Sequence, residues 1–68
     1  MKTKLSTRIY ELRKEINLSQ TDLAKKIGAS QKAVDFWEKG INEPKASFII
    51  ALSKYFGVTA DYLLGLED

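Results

Sequence analysis

A connection of three small residues constrains this chain more than any other feature of its sequence. Gly-Ala-Ser at positions 28–30 separates two stretches, 20–27 and 31–39, that each carry apolar residues at helical spacing. A connection of three or four residues that contains glycine sets two helices at about 90–120° to each other. The sequence therefore predicts two short helices that cross, with Gly28 supplying the positive φ that the turn needs.

Glycine also divides the rest of the chain, because each of the four glycines follows a stretch with helical periodicity. Ser19, Ser30 and Thr59 stand where side chains cap helices. No alternating run with hairpin chemistry predicts a strand. We expect an all-α fold, with all of residues 1–68 in a single compact domain of five helices. The predicted helices span Ser6 to Ile16, Gln20 to Ile27, Gln31 to Lys39, Ala46 to Phe56, and the residues after Thr59 through Leu64.

The residue composition narrows the classes of function that this chain could have. The 68 residues include no cysteine and no histidine, so disulfides and the usual zinc ligand sets are absent. The carboxylates are scattered over predicted helix surfaces, and none forms a plausible acid–base pair. No apolar run approaches the roughly 18 residues of a membrane span. We expect a cytoplasmic, non-enzymatic protein without metal, cofactor or membrane partner.

The charges are divided unequally along the chain. Residues 1–54 hold all eleven lysines and arginines against six acids, a balance of +5. Residues 55–68 hold three acids and no base, a balance of −3. One end of the molecule is therefore suited to phosphates and the other is not.

The run LSQTDLAKKIGASQKAVDFWEKGINEP, followed by FGVTADYLLG, resembles the Cro and lambda-repressor type of helix-turn-helix proteins, also called the XRE family. The resemblance implies a lambda-repressor-like DNA-binding domain whose helix-turn-helix spans 20–39. In this motif the second helix enters the major groove of double-stranded DNA. The implied function is a sequence-specific transcriptional regulator, a repressor of phage or prophage type that occupies a palindromic operator as a homodimer.

The resemblance also implies roles for individual residues. Gln20 matches a residue that binds a backbone phosphate and braces the base-reading residue. Gln31 matches the base reader itself, and a glutamine amide suits adenine N6 and N7. Lys32 matches a further contact to base or phosphate. Ser30, Lys39, Asn42 and Lys45 fall at phosphate-contacting positions, and Arg13 and Glu38 look like the family's structural ion pair. The alternative is that these exposed amides and lysines are solvated surface.

Asp35 and Phe36 complete the predicted base-contacting face, and each has more than one interpretation. Asp35 could accept a hydrogen bond from cytosine N4 or disfavour operators that present an acceptor there. It could also pair with Lys32 or Lys39 along the helix, which is the interpretation we favour. Phe36 could contact a thymine methyl group or fold back over the preceding helix, and we favour the methyl contact.

The predicted fourth and fifth helices carry more apolar side chains than one small core can cover. An exposed apolar patch commonly marks an interface, and relatives form two-fold dimers through this end. The predicted dimer interface comprises Phe48, Ile50, Tyr55, Tyr62 and Leu66. The alternative is that Phe48 and Tyr62 complete the core of a monomer.

A second function, of another class, fits the same surface. The chain could be an antitoxin-like or protein-interaction subunit that binds a toxin or antirepressor through its last two helices. Selection of a palindromic DNA site would favour the repressor, and co-purification of a protein partner would favour the subunit.

Overall fold

The computed structural model describes residues 3–68 and contains five α-helices. Residues 1 and 2, which belong to the predicted domain 1–68, lie outside the described residues. Within residues 3–68 there is no strand, and no helix is long and apolar enough to cross a membrane. The helices are α1 (Lys4–Glu15), α2 (Gln20–Ile27), α3 (Gln31–Lys39), α4 (Ala46–Phe56) and α5 (Ala60–Leu64).

Local signals set the ends of α2 to α5, which lie where the sequence predicts them. Ser19, Ser30 and Thr59 each accept a hydrogen bond from the backbone N–H three residues later. Gly28 ends α2 with φ of 76°, a left-handed conformation that glycine adopts without steric cost. This turn lets the N–H of Ala29 reach the carbonyl of Ala24 at 2.9 Å.

The beginning of α1 differs from the prediction. The helix starts at Lys4 rather than Ser6, because Thr3 and Ser6 form a reciprocal capping box. The Ser6 N–H donates to the Thr3 hydroxyl at 3.2 Å, and the Thr3 N–H donates to the Ser6 hydroxyl at 2.8 Å. Ser6 is therefore the third residue of the helix and is buried.

The end of α1 also differs. Ile16, predicted within the helix, lies just beyond it and is 54% exposed. Asn17 then adopts φ of 54°, a left-handed conformation that asparagine tolerates better than most residues. Because the chain turns away at this point, the inward face of α1 ends with the buried side chain of Arg13 instead.

All five helices contribute to one core. α1 contacts α3 and α5, and α2 contacts α3 and α4. The Trp37 ring on α3 lies 5.3 Å from the Phe48 ring on α4, centroid to centroid. Since the inner side of α3 is buried, its opposite side is left for the surface. The hydrophobic core consists of the buried side chains of Leu5, Ile9, Leu23, Ala24, Val34, Trp37, Leu52 and Leu63.

A buried ion pair joins α1 to the end of α3, as the resemblance predicts. Arg13 donates from Nε to Glu38 Oε2 at 2.7 Å and from Nη2 to Glu38 Oε1 at 2.9 Å. Its Nη1 donates to the carbonyl of Leu18 at 2.8 Å. The hydrogen bonds to Glu38 raise the pKa of Arg13 above its ordinary value. The pair is thus bidentate and fixes the orientation of α3 against α1.

We expect Glu38→Ala to lower the free energy of unfolding by about 3–5 kcal/mol, because it leaves Arg13 buried without its partner. The double variant Arg13→Met/Glu38→Leu should recover most of that loss, since it removes both charges and keeps the volume. Urea denaturation measures the free energy of unfolding of both variants. A double variant as unstable as Glu38→Ala would contradict this account.

Gly65→Ala should destabilise the fold more than Gly57→Ala. Both glycines have positive φ, at 83° and 69°, so either alanine costs about 1–2 kcal/mol in backbone conformation. Only at Gly65 would the new Cβ also collide, at 2.8 Å from Cβ and Cδ of Lys4. Nothing lies within 4 Å at Gly57. Equal losses of unfolding free energy in urea would show that the Lys4 contact is unimportant.

Candidate nucleic-acid interface

The amide of Gln20 lies at the centre of a hydrogen-bond network between α2 and α3. Its Nε2 donates to Glu38 Oε1 at 3.0 Å and to Asp35 Oδ1 at 3.2 Å. Its Oε1 accepts from Gln31 Nε2 at 2.7 Å. Gln20 is therefore in position to brace Gln31, and the network extends through Glu38 to the buried Arg13.

Asp35 lies one turn after Gln31 and takes part in two interactions. Its Oδ2 lies 2.9 Å from Nζ of Lys39, so the residue makes the helical ion pair that the sequence suggests. The hydrogen bond from Gln20 was not predicted. The hydrogen bond from Lys39, and then that from Gln20, hold the pKa of Asp35 below its ordinary value. Asp35 is therefore an ionised, acceptor-only group at neutral pH.

The outer side of α3 carries the predicted base-contacting residues, which are exposed to different degrees. Gln31 and Lys32, at its N-terminal end, are both exposed. Phe36 is half-buried, and Nζ of Lys32 lies 5.9 Å from the centre of its ring. Gln31, Lys32 and Phe36 thus occupy the first two turns of the helix, with one amide, one ammonium and one ring available.

The predicted phosphate-contacting residues lie around this helix. Ser30 precedes α3 and is exposed, with its hydroxyl engaged as the helix cap. Lys39 ends the helix and is exposed beside Asp35. Asn42 and Lys45 are exposed in the following loop, where Pro44 is buried. These exposed side chains can adjust to the phosphate backbone of a nucleic acid without disturbing the protein core.

A groove of about 490 Å³ lies beside the Gln20–Gln31 contact. It extends the candidate interface to Lys14, Asn17 and Thr21, which the sequence analysis does not identify. Nothing in the local sequence pattern distinguishes these three from other exposed polar residues. Their position depends on the turn between α1 and α2. The groove is lined by Arg13, Lys14, Asn17, Leu18, Ser19, Gln20, Thr21 and Gln31.

The predicted dimer residues divide into two groups. Phe48 and Tyr62 are half-buried within the chain itself: Phe48 lies against Trp37, and the guanidinium carbon of Arg8 lies 4.1 Å from the centre of the Tyr62 ring. The other group keeps its apolar surface in water, with exposures of 53% for Ile50, 38% for Tyr55 and 73% for Leu66.

Comparison with known proteins places this geometry in a family. The family described as Helix-turn-helix matches residues 9–63. Repressor protein C2 of Salmonella phage P22 is 38% identical over 60 residues, which cover 88% of this chain and 28% of that protein. The HTH-type transcriptional activator BcrR of Enterococcus faecalis is 36% identical over 61 residues, which cover 90% of this chain and 30% of that protein.

A solved structure agrees with the sequence relatives. The P22 c2 repressor, crystallised in complex with a synthetic operator, matches with a TM-score of 0.87 at 35% identity, covering 93% of this chain and 96% of that one. The chain nevertheless spans less than a third of the full length of repressor C2 and of BcrR. With α2 and α3 packed together and their glutamines joined by a hydrogen bond, this chain belongs to the XRE-type helix-turn-helix family.

Proposed function

We propose that this chain is the DNA-binding module of a transcriptional regulator that recognises a specific double-stranded sequence through α3. The observation that carries this proposal is the exposed amide of Gln31, which Gln20 holds at 2.7 Å at the start of the helix. A base-reading side chain benefits from such bracing, because less conformational freedom is lost on binding. The P22 c2 repressor, crystallised with its operator, supports the proposal as a relative of the same fold.

The electrostatics support the same surface. Lys14, Lys32, Lys39 and Lys45 are exposed around α3 and the groove. The acidic residues of the last stretch, Asp61, Glu67 and Asp68, are exposed on or after α5. Phosphate neutralisation by lysine supplies much of the affinity for DNA and makes it depend on salt. We therefore propose that α3 and the residues beside it face DNA, and that the acidic end of the chain faces away from DNA.

Within this surface we assign two kinds of contact. Gln31 reads adenine, Lys32 contacts guanine or a phosphate, and Phe36 contacts a thymine methyl group. The phosphate contacts come from Ser30, Lys39, Asn42 and Lys45, and from the backbone N–H of Gln20 at the start of α2, because both hydrogens of its Nε2 already go to carboxylates. Base contacts select the sequence, and phosphate contacts fix the register of the protein on the duplex.

We further propose that two copies bind together, through the apolar residues that remain exposed on and after α4. Ile50, Tyr55 and Leu66 form this surface, with Phe48 and Tyr62 at its half-buried base. A single module of this size buries little DNA surface, so a pair is needed for useful specificity. A two-fold dimer would read half-sites about 34–36 Å apart. We propose that the chain represses transcription by occupying such an operator.

Selection from random duplexes at a stated salt concentration tests the function. We expect enrichment of a palindromic site with adenine at one defined position of each half. Failure to enrich any sequence would overturn the proposal. Co-purification of a protein partner, with no DNA sequence enriched, would favour the antitoxin-like subunit instead.

Gln31→Ala and Lys45→Ala should affect binding in different ways. Gln31→Ala removes a bidentate base contact, so it should cost about 1–3 kcal/mol at its preferred base pair and abolish preference there. Lys45→Ala removes a phosphate contact, so it should weaken all duplexes alike and reduce the salt slope by about 1. Fluorescence anisotropy across a panel of single-substituted duplexes distinguishes the two patterns, and each variant is the control for the other.

Ile50→Asn should weaken self-association several-fold and reduce binding to the palindrome more than to a single half-site. Ile41→Asn is the matched control, because Ile41 is 60% exposed but lies in the loop between α3 and α4. Sedimentation equilibrium measures association, and anisotropy measures binding. Equal effects of the two variants would contradict the proposed interface.

A further inference from the structure

The Gln20 amide has partners on both of its ends, and their chemistry leaves it one orientation. Its nitrogen faces two carboxylate oxygens, Asp35 Oδ1 at 3.2 Å and Glu38 Oε1 at 3.0 Å. Each carboxylate also faces a cation: Asp35 lies 2.9 Å from Nζ of Lys39, and Glu38 lies 2.7 Å from Nε of Arg13. An ionised carboxylate only accepts hydrogen bonds. A Gln20 amide turned by 180° would lose both hydrogen bonds and place its oxygen against two anions.

The fixed orientation of Gln20 determines that of Gln31. The oxygen of Gln20 can only accept, so Gln31 has to turn its nitrogen towards it, as the 2.7 Å contact shows. The carbonyl oxygen of Gln31 and its second N–H remain for a ligand. The order of donor and acceptor that the exposed amide presents is thus set from within the protein.

That order matters for base recognition. In the major groove, adenine presents N7 as an acceptor and N6 as a donor, so a bidentate amide has to bring its N–H to N7 and its oxygen to N6. A reversed amide would face acceptor to acceptor and donor to donor. An amide free to rotate would have to be ordered on binding, at a cost in affinity.

We propose that Asp35 and Glu38 are positioning residues for base recognition, which fix the Gln20 amide and thereby the donor–acceptor order that Gln31 presents to the base pair. This inference rests on the proposed function and adds a specificity mechanism to it. It gives Asp35 a role in the sequence preference that requires no contact with a base. It also gives Glu38 a second role besides its ion pair with Arg13.

Asp35→Asn provides the main test. Asparagine can turn either its oxygen or its NH2 group towards Gln20, so the obligatory acceptor is lost. Lys39→Gln is the matched control, because it also abolishes the Asp35–Lys39 ion pair but keeps the Asp35 carboxylate for Gln20. Asp35→Ala, which removes the acceptor altogether, has to reproduce the result of Asp35→Asn.

The first measurement uses the free protein and needs no DNA. In ¹⁵N–¹H spectra, exchange between the two Nε2 protons of Gln20 reports rotation about its Cδ–Nε2 bond, which requires the hydrogen bonds from Nε2 to Asp35 and Glu38 to break. We expect rotation to accelerate roughly fivefold in Asp35→Asn and Asp35→Ala, which is the factor for one ordinary hydrogen bond, and to stay unchanged in Lys39→Gln. Unchanged rotation in the two Asp35 variants, or equal acceleration in Lys39→Gln, would overturn the proposal.

The second measurement compares affinity for duplexes with adenine or another base at the Gln31 position. Asp35→Asn should reduce the preference for adenine roughly fivefold at that position alone. Lys39→Gln should weaken all duplexes alike and keep the preference. An unchanged preference in Asp35→Asn would overturn the inference. Absence of any base preference in the unaltered protein would instead overturn the proposed function. In that case the spectra of the free protein would still decide whether Asp35 fixes the Gln20 amide.

Discussion

The orientation of α3 depends on one interaction, the buried ion pair between Arg13 and Glu38. The pair joins the last turn of α1 to the last turn of α3, with two hydrogen bonds at 2.7 and 2.9 Å. A third, to the carbonyl of Leu18, ties the turn before α2 to the same guanidinium. Because α1, α2 and α3 meet at one side chain, the candidate interface is held by the fold rather than by a flexible loop.

The same charges shape the chemistry of the surface. Glu38 accepts from Gln20 as well as from Arg13, and Asp35 accepts from Gln20 and pairs with Lys39. The two acids on α3 are therefore balanced within the protein and add little repulsion towards phosphates. A helix directed at a polyanion can thus carry carboxylates, provided that each one is engaged by a neighbouring donor or cation.

The sequence predicts most of this fold because its signals are local. Ser19, Ser30 and Thr59 cap the starts of α2, α3 and α5, and a glycine follows each of α2 to α5. These signals lie next to the ends that they determine, so the four helices begin and end as predicted. The ends of α1 were misplaced. A capping box with serine at its third position is harder to recognise, and the apolar period continues to Ile16 after the helix has ended.

The site is harder to predict than the fold, because its contacts join residues that are distant in the sequence. The residue types and positions of Gln20, Gln31 and Asp35 are visible in the sequence, but the hydrogen bonds among them depend on how α2 crosses α3. The groove residue Lys14 likewise joins the site only through the turn at Asn17. Tertiary contacts of this kind leave no periodic trace in the chain.

The contact between Lys4 and Gly65 has a practical consequence for joining this unit to others. The first turn of α1 lies against the end of α5, and Arg8 donates to the carbonyl oxygens of Tyr62 within α5 and of Glu67 after it. The two ends of the helical unit are therefore neighbours in space. Such a unit can be inserted into a surface loop of a host protein, because the host chain leaves and re-enters at nearly the same place.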